Sequence, residues 1–251
     1  GYPWGMIRSR RFTPVLRRRT GFASGLWPGF RSGAGVTAGL VALSLAAGLW
    51  PGQAQAHPHV FVDTALTVEL DAEQRITAVS VTWIYDDFYS LLVLQDMGLD
   101  EDADGHLTPG ELAQLDGWDM KWIEGYAGDL YVADATGQDV ALSPPQPLRT
   151  DVMEGRIVTQ HRRVLPDPLA VSGASLRAYD PEFYTAYDLT GGVTLMGVVA
   201  GCTAGVARPD EDSAYAEAQA LMAQFPEDAE EVPLMGHVFA ETVTIACAPK
   251  S

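Results

Sequence analysis

The clearest chemistry in the sequence lies in Asp100 to Glu111, which reads D-E-D-A-D-G-H-L-T-P-G-E. Asp100, Asp102 and Asp104 fall at loop positions 1, 3 and 5, Gly105 at 6, His106 at 7, Leu107 at 8 and Glu111 at 12. This is the EF-hand calcium pattern. A hard dication takes six to eight oxygens, and alternate acidic residues on a tightly curved loop can turn several of them inward. Gly105 permits the sharp turn, His106 contributes its backbone carbonyl, and Glu111 closes the shell with its carboxylate. Thr108-Pro109-Gly110-Glu111 is at the same time a capping box with proline at the first helical position, so the loop's exit doubles as a helix start. No second loop of this kind occurs in the sequence. A lone EF-hand suits a structural or weak calcium site.

A second candidate site is His57-Pro58-His59-Val60-Phe61-Val62-Asp63. Its value depends on what precedes it. Residues 1–56 carry seven arginines and no acid, then the apolar run Ala34 to Trp50, then Ala54-Gln55-Ala56. A basic region, an apolar region and an A-x-A site make a cleaved secretory signal peptide, with Gly1 to Gly5 reading as an over-extended gene start. Cleavage after Ala56 would place a free amine and an imidazole together on His57. His59 and Asp63 share a strand face with it and would add a second imidazole and a carboxylate. Amine and imidazole nitrogens suit Zn²⁺, Ni²⁺, Co²⁺ or Cu²⁺.

The elements that must position these groups follow from periodicity. Val60–Leu70 and Ile76–Ile84 read as a hairpin. A helix over Asp87–Gly98, the acidic loop, and a helix from Pro109 to about Gly125 form an insertion spanning about 87–125. Further strands are expected at Asp129–Ala133, Gln138–Leu142, Arg156–Leu165, Ser175–Tyr179, Val193–Val198, Thr203–Arg208 and His237–Cys247, with Pro144-Pro145-Gln146-Pro147 as a stiff connector. Asp210–Phe225 reads as a C-terminal helix. The expectation is a single periplasmic α+β domain over residues 57–251, with a β-sandwich or barrel-like core and the EF-hand-like insertion.

Cys202 and Cys247 are the two cysteines, and an exported chain most simply joins them in a disulfide. The full chain has 16 basic and 33 acidic residues, a net charge of −17. Loss of the seven leader arginines leaves nine against 33, a net of −24. Such a surface excludes nucleic acid and anionic lipid as partners held by basic patches, and it attracts cations. Tyr179 to Asp188 is dense in aromatics and acids and could line a cleft or simply pair strands. Nucleophile elbow, H-E-x-x-H and phosphate loop are all missing. The reading is therefore not an enzyme, a copper-dependent oxidase using His161 or His237 as a further ligand being the remote alternative.

The H-P-H-V-F-V-D start, Val81-Thr82-Trp83 leading into an Asp/Tyr/Ser corner, the D-x-D-x-D-G loop, Tyr179-Asp180-Pro181 and Gly201-Cys202 together resemble a bacterial family of unknown function. Its members are described as periplasmic components of uncharacterised ABC-type transport systems. The resemblance covers residues 57–251. It implies an accessory role beside a nickel/cobalt or zinc membrane transporter. The alternative is a calcium-stabilised structural or interaction module without transition-metal function.

Overall fold

The structure is a computed structural model that describes residues 58–226 and 233–248. The expected leader, residues 1–56, and His57 lie outside the described residues.

Among the described residues nine strands form two separate open sheets. The first has five strands in the order β4-β5-β2-β1-β7, with β1 Val60–Leu70, β2 Arg75–Tyr85, β4 Gln146–Met153, β5 Arg156–Ala170 and β7 Thr185–Gly197. The second has four strands in the order β3-β6-β9-β8, with β3 Leu130–Ala133, β6 Ser175–Ala178, β8 Cys202–Ala207 and β9 Thr242–Cys247. Every pairing is antiparallel except β1 with β7. The described residues also hold four helices, in keeping with an α+β fold: α1 Asp87–Met97, α2 Pro109–Leu115, α3 Glu211–Met222 and α4 Gly236–Phe239. The described residues form one compact unit.

Strand β1 alternates strictly. Val60, Val62, Thr64, Leu66, Val68 and Leu70 are buried while Phe61, Asp63, Ala65, Thr67 and Glu69 face outward. The buried cluster takes Leu66, Val68, Ile76, Val81 and Ile157 from the first sheet and Val132, Leu176, Val243 and Ile245 from the second. One core shared by two sheets is a sandwich-like arrangement. The barrel-like alternative does not hold, because neither sheet closes on itself.

Four expectations are corrected. Gln146–Met153 is the edge strand β4, not a connector; proline is tolerated there because an edge strand has backbone donors to spare. Gln138–Leu142 is not a strand: it makes the bridge Ala133–Asp139, the bond from Val140 N to Val132 O and turn bonds between Gln138 and Asp134. His237 lies on the short helix α4 rather than in a strand, and β9 starts at Thr242. The helix after the acidic loop ends at Leu115, not near Gly125. Asp116 leaves the helical region at ψ 125 and its carboxylate accepts from Thr150 Oγ1 of β4 at 2.9 Å; a 3-10 turn, Trp118–Met120, follows.

Cys202 and Cys247 are register partners across β8 and β9 and form the expected disulfide. No helix among the described residues is long and apolar enough to cross a membrane.

Candidate functional site

The acidic loop is built by the elements on either side of it. Asp86 caps α1, its carboxylate accepting from the amides of Tyr89 and Phe61 at 2.8 Å each. Ser90 Oγ accepts from Ile157 N at 2.9 Å, which pins the helix to β5. Gly98 ends α1 in the left-handed conformation, and Leu99 N donates back to Leu94 O at 2.8 Å. Leu94, Leu99 and Leu115 are buried and Leu107 packs on the core, so apolar side chains before, within and after the loop hold it in place.

Within the loop, Asp100 Oδ1 accepts from the amides of Asp104 at 3.1 Å and Gly105 at 3.3 Å. Gly105 has φ +77, as the expected sharp turn requires, and its backbone lies close to Gly155 in the β4–β5 turn. Asp100, Asp102 and Asp104 each offer a carboxylate oxygen within 4.8 Å of the others, and this is the one such grouping of three metal-ligating side chains among the described residues. His106 is exposed, its amide donating to Asp104 Oδ1 at 2.8 Å.

Glu111 is brought back to the loop's first residue. Its Oε1 accepts from Asp100 N at 3.2 Å, and its Oε2 accepts from Thr108 N at 2.8 Å and Thr108 Oγ1 at 2.7 Å. The capping box is complete. These bonds hold the Glu111 carboxyl below its ordinary pKa, with the Thr108 hydroxyl the largest cause. The three aspartates converge, then, while Glu111 clamps the two ends of the loop. Oxygen-only donors of this kind fit Ca²⁺.

The histidine-start site is not brought together in the same way. His59 is exposed beside the first strand, its ring centroid 4.9 Å from that of Tyr184 and its amide donating to Tyr184 O at 2.8 Å. Asp63 is on the same outward face, but its carboxylate is engaged by Arg156 Nη2 at 2.8 Å and Thr190 Oγ1 at 2.8 Å. His237 sits on α4 with its backbone carbonyl accepting from Arg177, and its ring is 6.4 Å from Tyr179.

A polar cluster inside the core was not anticipated. On β5 the inward positions read Ile157, Thr159, His161, Arg163, Leu165, all buried. His161 is packed by Trp83 at 4.7 Å and Trp122 at 5.5 Å, and neither ring nitrogen has a protein hydrogen-bond partner. Burial, and secondarily the Arg163 charge, pushes its pKa down to about 3, so it is neutral. Thr159 and Tyr85 donate to Asp119 Oδ2 at 2.6 and 3.0 Å, and Tyr126 and Tyr187 donate to Asp129 Oδ2 at 2.7 and 2.8 Å. Burial raises the pKa of both acids, Asp129 to about 6. The signal for this cluster was the T-x-H-x-R run on a strand whose flanking inward positions are Ile157 and Leu165. Its partners Asp119, Trp122, Tyr126 and Asp129 come from a segment whose first part was expected to be helix.

No curated protein matches the chain. Residues 42–247 match the family described as protein of unknown function, DUF1007, and the chain belongs to that family.

Proposed function

We propose that this protein is an extracytoplasmic divalent-cation-binding protein whose Asp100–Glu111 loop takes calcium. The observation that carries the reading is the convergence of the Asp100, Asp102 and Asp104 oxygens within 4.8 Å on a loop fixed at both ends by the core. Three carboxylates held that close repel one another, and a bound dication relieves the repulsion. The Cys202–Cys247 disulfide supports an oxidising, periplasmic location reached by an exported precursor. Calcium here stabilises the α1–α2 insertion on the sheet. The expected affinity is that of extracellular modules, about 10⁻⁴ to 10⁻³ M.

The test is calorimetric titration of the purified protein with Ca²⁺ and with Mg²⁺. One calcium site, abolished in Asp102→Asn/Asp104→Asn and accompanied by a rise in thermal midpoint, supports the reading. A flat titration at millimolar calcium overturns it.

A second, narrower reading makes the protein a periplasmic accessory that passes nickel, cobalt, zinc or copper to a membrane transporter. The exposed position of His59, just before β1, favours it. Asp63 does not, since Arg156 and Thr190 already hold its carboxylate. Elemental analysis of protein carrying its native start separates the two readings. A transition metal lost in His57→Ala/His59→Ala establishes the accessory role; calcium alone leaves the calcium module.

A further inference from the structure

A cleft of about 600 Å³ opens between the outward face of β7, the ends of β6, β8 and β9, and helices α3 and α4. That is the scale of a small-molecule site. One wall is aromatic. Phe183 and Phe239 stack with centroids 4.2 Å apart and planes 11° apart, and Tyr215 of α3 meets Phe239 edge-on at 5.2 Å. Phe61, half exposed on β1, also borders the cleft. The arrangement is specified by sequence: a side chain at Gly236 would put its Cβ 1.8 Å from Asp180 O, so glycine is what lets α4 close on the Asp180–Phe183 turn and bring the two phenylalanines together.

Three of the four charged groups lining the cleft are acids, Asp188, Glu211 and Glu241, against Arg208. Glu241, nearly buried, has its charge balanced by Arg208, whose Nε is 2.6 Å from Oε1, and its Oε2 accepts from Leu189 N at 2.6 Å. Asp63, the register partner of Asp188 on β1, is balanced by Arg156. Asp188 is left over. Among the described residues no group donates a hydrogen bond to its carboxylate; partial desolvation raises its pKa most, the nearby Glu241 and Asp63 charges raise it further, and Arg208, already bonded to Glu241, offsets them only in part. Glu211 adds a further acid to the lining. A carboxylate with no ion pair of its own among the described residues, in a cleft where acids outnumber the one arginine, is complementary to a cation that carries apolar surface: the charge meets Asp188 and the ring quadrupoles, and the apolar body covers Phe61 and Tyr215.

We propose that this cleft is a binding site for a small organic cation, an alkyl- or arylalkyl-ammonium, with Asp188 as its counter-ion and Phe183, Phe239 and Tyr215 as its aromatic wall. The site is separate from the calcium loop and does not depend on it.

The probe pair is phenethylamine, an ammonium at neutral pH, and 2-phenylethanol, its uncharged analogue. Each is titrated by calorimetry and by NMR into the whole protein in saturating calcium, which keeps ammonium off the acidic loop. The ammonium is expected to bind at least about tenfold more tightly than the alcohol, and Asp188→Asn to weaken it by about tenfold with no fall in thermal midpoint. Glu217→Gln, which removes the same charge from the exposed side of α3, leaves binding unchanged. Equal affinity for amine and alcohol overturns the proposal and leaves an apolar groove. Equal loss in both variants reduces it to the general attraction of an acidic protein for cations. Failure of the amine at millimolar concentration overturns it as well, and so does capture of a lysine-rich peptide without the free amine, which makes the cleft a peptide groove.

Discussion

The Tyr187 hydroxyl donates to Asp129 Oδ2 at 2.8 Å, and this bond ties β7, an edge strand of the first sheet, to the residue just before β3 of the second. Tyr126 donates to the same oxygen at 2.7 Å. Asp129 is nearly buried and sits at a positive φ of 50°, so the carboxyl is held by the fold in a place that disfavours its charge.

The pH dependence of stability follows from Asp129 and His161 pulling in opposite directions. Asp129 titrates at about 6 in the fold, above its unfolded value near 3.9, so between those values the folded state binds the extra proton and stability falls as pH rises. His161 titrates at about 3 in the fold against about 6.5 unfolded, so there the unfolded state binds the extra proton and stability rises with pH. The variants should separate the two. Between pH ~4.5 and pH ~7, Asp129→Asn is expected to gain about 2 kcal/mol relative to the parent as pH rises, and His161→Gln to gain a similar amount as pH falls. Urea unfolding at the two pH values measures both; parallel profiles for parent and variants would refute the assignment.

The acidic loop makes a sharper prediction than loss of calcium on mutation. Among the described residues nothing donates a hydrogen bond to the Asp102 carboxylate, whereas Glu111 completes the capping box. Asp102→Asn should weaken calcium binding and leave the calcium-free protein as stable or slightly more so. Glu111→Ala should weaken calcium binding and also lower the thermal midpoint without calcium, because it removes the acceptor for the Thr108 and Asp100 amides. Thermal midpoints with calcium and with chelator give all four values.

Gly197 closes β7 at φ +93, and a Cβ there would lie 2.1 Å from Leu70 O at the end of β1. Gly197→Ala therefore meets both a disfavoured backbone region and a backbone clash. A loss of about 2–4 kcal/mol in denaturant unfolding is expected; a change within error would show that this corner relaxes freely.

Reduction of Cys202–Cys247, or its replacement by two serines, should cost about 2–4 kcal/mol. The acidic loop lies between β2 and β3, far along the chain from this bridge, so the calcium affinity proposed for it, measured below the unfolding transition, should not change.

The hairpin, the helix–loop–helix entry and the disulfide were legible because their signals are local: alternation on β1 and β2, fixed offsets in the loop, and a chain with two cysteines. The acidic loop could be read residue by residue for the same reason. What could not be read depends on pairing across the chain. Gln146–Met153 is a strand only because β5 offers it an edge, and Pro147, together with the preceding Pro144-Pro145, masked it. Asp63 looked like a metal ligand until its partner Arg156, 93 residues later, came into view. The cleft around Asp188 draws on β1, β7, α3 and α4 at once, and nothing in the Tyr179–Asp188 stretch alone distinguishes a cleft wall from an ordinary strand pair.

Strand β1 has one more consequence, for the order in which the molecule can be assembled. Its antiparallel partner β2 is complete at Tyr85, but its parallel partner β7 spans Thr185–Gly197. A chain that emerges amino end first must therefore keep one edge of its first strand uncovered while roughly a hundred residues follow, and a bare apolar strand edge is a template for wrong pairing. Fragments ending before Gly197 should aggregate where the whole chain folds, and a chaperone that delays collapse has its window fixed by the distance from β1 to β7.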